Sequence, residues 1–376
     1  MAGIYLHIPF CKQACYYCDF HFSTSLKLKN DFVNALVDEL KLQKDYLGDE
    51  IIETIYFGGG TPSLLSADEL TRIFESIHYH YSVSDDIEIT LEANPDDLSL
   101  DKLKELKTTL VNRLSIGVQS FFDDDLRFMN RAHNSVEALN SIKNAQDIGF
   151  DNLTIDLIYG TPTLSNSMWI KNLETAFELD IPHLSCYCLT VESRTVLADF
   201  INKGKVQNVD EQKSSEQFEM MLNAMQNNDF EQYEISNFCK DEKYSRHNSA
   251  YWRGENYLGV GPSAHSFNGI SRQWNVSNNS IYIQSISKGV IPFEIETLTQ
   301  KQKFNEYILT SLRTKWGTDL IKIEESFGIE IKENLMKQVL KYIDKGLLVF
   351  SDDKKIHLTN KGKLMADNIT AELFMV

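Results

Sequence analysis

The chain has 376 residues, and its 37 Lys and Arg stand against 54 Asp and Glu, for a formal charge of −17. That acidity repels a phosphate surface and excludes a general nucleic-acid or membrane-surface binder, leaving room only for a local basic pocket. With 42% hydrophobic residues the chain is not disordered and has material for two domains or one large α/β barrel. In chain order, strands are predicted at residues 3–8, 53–57, 87–92, 113–118, 153–158 and 183–189, each rich in Ile, Val, Leu, Thr or Tyr. Helical periodicity fills the gaps at 31–46, 66–78, 100–107, 135–148 and 168–179. Ser66 followed by Glu69 reads as a capping box. Repeated βα units imply a parallel sheet with helices outside and chemistry at the C-terminal strand ends. A doubly wound open sheet is the competing arrangement. The first strand is not followed by a GxGxxG fingerprint, which counts against it.

Beyond residue 190 the pattern loosens. Residues 210–229 read as a helix, 230–290 are mixed, and 293–298 look like a connection. From 299 onward three helices precede two short strands at 347–350 and 355–358, which reads as a winged-helix-like module. Such modules often bind DNA, but in so acidic a chain a lid or protein-docking role is the better expectation. The predicted domains are therefore 1–292 and 299–376. Residues 1–10 lack the features of a signal peptide, and no run of about 18 apolar residues is present. A cytoplasmic location with reduced thiols is expected.

The six cysteines lie at 11, 15, 18, 186, 188 and 239. Cys11, Cys15 and Cys18 form CxxxCxxC directly after the first strand. Thiolates are the soft ligands an iron–sulfur cluster needs, and three on one loop hold three corners of a [4Fe–4S] cube. The fourth iron is then open to a small molecule. Structural zinc prefers four protein ligands in two pairs and suits this triplet poorly. Cys186 and Cys188 share one face of the sixth strand, where small buried residues are the simpler reading. Cys239 has no sequence partner.

CxxxCxxC on that loop resembles the signature of the radical S-adenosylmethionine (SAM) superfamily. The resemblance implies an α/β fold, a partial (β/α)6 TIM-like barrel. It also implies that SAM chelates the open iron and that an electron from the cluster yields a 5′-deoxyadenosyl radical. HIPFCKQACYYCDF, FGGGTPS, LEANPD, RLSIGVQSF, NRAH, DLIYGTP and RHNSAYWRG together resemble the oxygen-independent coproporphyrinogen III oxidase-like family, which also implies the winged-helix-like C-terminal domain. Within it, the oxidases carry a further cysteine where Phe20 stands here, and a long extension before the cluster where this sequence has ten residues. Both features are similar to the HemW branch, the haem chaperones. The HNxxYW motif, His247 to Trp252, is similar to the same branch.

By that resemblance, metal ligation falls to Cys11, Cys15 and Cys18. SAM binding falls to Tyr5, Tyr17, Gly59, Gly60, Thr61, Glu92, Gln119, Arg131, Asp156 and Thr190. Arg131 would grip the SAM carboxylate in a charge-assisted fork, and Asp156 suits ribose hydroxyls. His247 is the first candidate for haem ligation and His265 a second, with Tyr251 and Trp252 as stacking aromatics. Each has a structural alternative as a core or hydrogen-bonded residue. The expected partners are haem, haem-acceptor proteins including membrane respiratory enzymes, and an electron donor for the cluster. An oligomer fits, with no nucleic acid and no integral membrane segment. Oxidative decarboxylation of coproporphyrinogen III is the rival activity, and radical SAM chemistry on another substrate is a third.

Overall fold

A computed structural model describes residues 2–375. Six parallel strands run side by side in chain order: β1 (Ala2–Ile8), β2 (Ile52–Gly59), β3 (Val83–Ala93), β4 (Arg113–Gln119), β5 (Leu153–Tyr159) and β6 (His183–Cys188). Crossovers α1 (Lys29–Leu42), α2 (Ala67–His80), α3 (Leu100–Lys107), α5 (Ser135–Asp147) and α6 (Asn166–Glu178) pack outside them, while the short α4 (Asp123–Phe128) sits in a separate cluster with Tyr16, Tyr17 and Ile158. The Ser66 capping box starts α2. After β6 come α7 (Val196–Asn202), α8 (Glu211–Asn227), β7 (Glu231–Glu234), β8 (Asn237–Cys239) and α9 (Arg246–Arg253). Then follow β9 (Asn256–Val260), β10 (His265–Phe267), β11 (Ser271–Asn275), α10 (Asn279–Ile286) and β12 (Phe293–Thr297). The resulting 12-stranded sheet has the order β12-β11-β10-β9-β1-β2-β3-β4-β5-β6-β8-β7, so the barrel is extended at both edges rather than closed.

The alternation along these strands explains both faces. In β1, Ile4, Leu6 and Ile8 face the helices and join the main core, while Tyr5 and His7 face inward. The same period places Thr54 and Tyr56, Glu88 and Glu92, Arg113 and Ser115, Thr154 and Asp156, and His183 and Ser185 on the inner face. A parallel sheet usually buries apolar residues on both sides. Here the inner face is a polar column, which suits a site better than a core.

The expected connection at 293–298 is instead the edge strand β12, paired antiparallel to β11 along Phe293–Thr297. Its five residues are all exposed, so burial left no pattern to read. The barrel extension is tied to α1 by the buried Glu39 carboxylate. It accepts from Gly261 N–H (2.8 Å), Asn275 (2.6 Å), Tyr282 O–H (2.6 Å) and Gln43 (2.8 Å).

The C-terminal domain has its own core, which includes Phe304, Ile308, Ile323, Val339 and Ile356. It is built from α11 (Gln300–Leu312), β13 (Thr318–Asp319), α12 (Leu320–Phe327), α13 (Ile329–Asp344), β14 (Leu348–Phe350) and β15 (Lys355–Leu358), followed by two short helices. Three helices with a small three-stranded sheet match the winged-helix expectation. Among the described residues no helix is long and apolar enough to cross a membrane.

Candidate functional site at the C-terminal end of the barrel

A cavity of about 470 Å³ opens at the C-terminal ends of β1–β6, within the range of small-molecule sites. Its wall brings together Cys11, Cys15, Cys18, Tyr17, Gly59, Gly60, Thr61, Glu92, Gln119, Arg131, Asp156 and Thr190. Tyr5 is the exception: it lies below, with its hydroxyl on His7 Nδ1 (3.2 Å) and its ring against Tyr56 and His247. The sequence reading missed Asn94, Ser115 and Tyr187. Tyr187 turns inward and Cys186 outward into the core, but Cys188, expected to be buried beside Cys186, is exposed and lines the cavity because the strand ends there.

The cysteine loop is shaped by the protein. Cys11 N–H donates to Ser23 O (3.0 Å), Tyr16 N–H to Met129 O (3.1 Å), and Cys18 N–H to Cys15 O (3.3 Å). Gln13 donates to Asn130 O (2.9 Å), and Asn130 returns a bond to Ala14 O (2.7 Å). The glycine turn after β2 presses on the loop's base: Gly60 N–H donates to Ile8 O (2.9 Å) and Thr61 N–H to Phe10 O (2.7 Å). A Cβ at Gly60 would stand 2.6 Å from Phe10 O, so only glycine permits that approach. The three thiols do not converge on a point. Among the described residues no three His, Cys, Asp or Glu side chains could hold a single metal ion. Three soft donors on one loop would suit three corners of a [4Fe–4S] cube.

Arg131 spans the cavity floor. Its Nη2 donates to Asn94 Oδ1 (2.6 Å) and Gly117 O (2.8 Å), and its Nη1 to Cys15 Sγ (3.2 Å). Its Nε is buried without a partner among the described residues, a donor that an anionic ligand would satisfy. Gln119 adopts a left-handed backbone (φ 66°) where the β4–β5 register shifts, a strained position on the cavity wall.

Glu92 accepts from Tyr56 O–H (2.8 Å) and from Gly59 N–H (3.2 Å). Burial pushes its carboxyl up to about 7, with Asp156 nearby adding to the rise, and burial likewise pushes Asp156 up to about 6. A raised folded-state value means the folded chain keeps a proton that the unfolded chain has lost. The ligand-free protein should therefore gain stability from this pair as pH falls from about 8 to about 5. Glu92→Gln should raise the melting temperature most at about pH 8 and shrink the difference at about pH 5. A pH-independent difference would contradict the buried-carboxylate account.

The haem candidates lie elsewhere. His247 is not in a loop but in α9, which closes the opposite, N-terminal end of the barrel. Ser245 caps α9, and Glu88 accepts the backbone N–H of Arg246 (3.2 Å) and His247 (3.1 Å). His247 is 2% exposed, with Nδ1 on Thr54 Oγ1 (2.8 Å), Nε2 on Tyr251 O–H (2.8 Å) and its ring stacked on Tyr56. Burial drives its basicity down to about 3. Both ring nitrogens are hydrogen-bonded inside the fold, which is the arrangement of a structural plug. His247→Ala should cost about 2–3 kcal/mol of stability in the unloaded protein, read as a lower urea midpoint, because it orphans two buried hydroxyls. An unchanged midpoint would restore a ligand-only role. Tyr251 is engaged with His247 and packs edge-on to Tyr257. Trp252 lies under the Arg313 guanidinium at the C-terminal domain, away from the cavity. His265 is exposed and stacks on Trp274.

A sheet-lined cavity with a three-thiol loop at its mouth and a polar inner wall defines a protein of the radical SAM class. The model of the Radical SAM superfamily matches residues 5–189, and that of the HemN C-terminal domain matches residues 298–365. The chain is similar to "Heme chaperone HemW" of Bacillus subtilis, at 35% identity over 98% of each chain. It resembles the protein of the same name from Lactococcus lactis at 33%, covering 97% of this chain and 95% of that one. The chain belongs to the HemW family of radical SAM proteins. Among solved structures it is similar to coproporphyrinogen III oxidase (HemN) from Escherichia coli, with a TM-score of 0.84 and 23% identity over 100% of this chain and 90% of that one. At that identity the likeness speaks for the fold.

Proposed function

We propose that the chain is a cytoplasmic haem chaperone. It holds a [4Fe–4S] cluster on Cys11, Cys15 and Cys18, binds SAM in the barrel-end cavity, and delivers haem to acceptor proteins such as respiratory haem proteins. An external electron donor serves the cluster. The observation that carries this reading is the 35% identity, end to end, with a protein named as a haem chaperone. Phe20 supports it: the position expected to hold the oxidases' additional cysteine carries a side chain with no ligand atom, 66% exposed at the cavity mouth.

Once bound, the cluster and SAM supply one-electron chemistry. The chain's own residues bind and orient. Arg131 offers its free Nε–H to the SAM carboxylate. Glu92 would hold the SAM ammonium, and Asp156 would serve the ribose hydroxyls. Glu92 pairs with a cation only when ionised, so SAM binding should weaken as pH drops below about 7. The experiment that tests the function is an anaerobic hemin titration of the cluster-loaded chain. Saturable uptake at one haem per chain is expected, and failure to bind hemin would overturn the reading.

A further inference from the structure

The geometry points to His265 as the side chain that binds haem iron. This inference rests on the haem-chaperone reading. It begins with an inventory of the nine histidines. His7, His183 and His247 have both ring nitrogens engaged inside the barrel. His133 is buried with Nε2 on Val118 O, and His21 has Nε2 on Asn279 (2.7 Å). His78 and His80 lie on the outer helix α2, and His357 lies in the C-terminal domain with Nε2 on Ser351. His265 alone is exposed on the inner side of the sheet, with no hydrogen-bond partner on either nitrogen among the described residues.

Its setting is built for a planar ligand. His265 and Trp274 are directly opposed in the β10–β11 pair, their rings stacked 5.9 Å apart at 28°. Stacking occupies a face of the imidazole and leaves its edge, where the nitrogens are, open. Phe267 shares the side of β10 with His265, and Arg272 shares the side of β11 with Trp274, its guanidinium lying over the Phe267 ring (5.6 Å) and paired with Glu306 (2.9 Å). Phe267 pairs with Tyr257 on β9, rings 6.3 Å apart. Tyr257 in turn lies beside Gly3 of β1, on the face that carries Tyr5 and His7. The part left uncovered is the His265–Trp274 pair, an aromatic surface carrying one free imidazole beside the barrel's inner wall. That is the chemistry an iron porphyrin needs: apolar surface for the macrocycle and a neutral nitrogen for the metal.

The test uses hemin and the full, cluster-loaded chain. His265→Ala is exposed and should not disturb folding. Even an outer hydrogen-bond partner of a metal ligand is worth about tenfold in affinity. Loss of the ligand itself should weaken hemin binding by about that much or more and shift the haem absorption band. Added imidazole should restore the band, and His247→Ala should leave it in place. Wild-type uptake with an unchanged His265→Ala spectrum and affinity would overturn the assignment while leaving the chaperone reading standing. No hemin uptake by the wild type would remove both.

Discussion

Alanine at Cys11, Cys15 or Cys18 should leave a folded chain that takes up no [4Fe–4S] cluster. The loop has protein anchors of its own: its backbone groups bond to Ser23, Met129 and Asn130, and Lys12 bridges Asp96 and Asp97. All three thiols are only partly buried, so each truncation opens little cavity in a core. The whole effect should therefore appear in the metal. Two thiolates cannot hold a cube that needs three protein corners, so iron, sulfide and visible absorbance should drop to background after anaerobic reconstitution. Circular dichroism and the urea midpoint should stay within about 1 kcal/mol of the parent. Full iron content in all three variants would refute the assignment.

Arg131→Leu should weaken SAM binding about 100-fold while the cluster is retained. The guanidinium is the one arginine that reaches the cavity lining, and its Nε has no partner among the described residues. Charge-assisted hydrogen bonds in a water-poor site are worth about 1.5–3 kcal/mol each, so losing the cation should weaken SAM about 100-fold. Arg131→Lys keeps the charge but not the fork and should fall between. Because Arg131 donates to Cys15 Sγ rather than ligating metal, iron content should hold in both variants. Calorimetric titration of SAM into the loaded protein reads the effect, and an unchanged affinity would reassign Arg131 to a structural role.

The barrel was legible because its signals are local. Most strands are short runs with β-branched residues, most helices keep their period over three or four turns, and Ser66–Glu69 marks a helix start that the structure uses. The strand-end residues were legible for a related reason: a strand's last residues must face the cavity once the sheet is parallel. Tyr5 shows the limit. The period puts it on the inner face, but three residues from the strand end it falls in a lower layer. Residues 230–290 were opaque because β8 and β10 are only three residues long, too short to show a strand period, so pairing with their neighbours and not propensity makes them strands. His247 misled because the motif looked like a loop. Ser245 and the Glu88 carboxylate fix it as a helix start, and Glu88 is 158 residues away from Arg246 in the chain.

The account's central claim is haem handling without porphyrinogen oxidation. It is tested most directly by supplying coproporphyrinogen III, SAM and a reductant to the anaerobic, cluster-loaded chain and following the porphyrinogens by chromatography. The account predicts that coproporphyrinogen III is recovered unchanged by a sample that still binds hemin. Steady formation of protoporphyrinogen would contradict it.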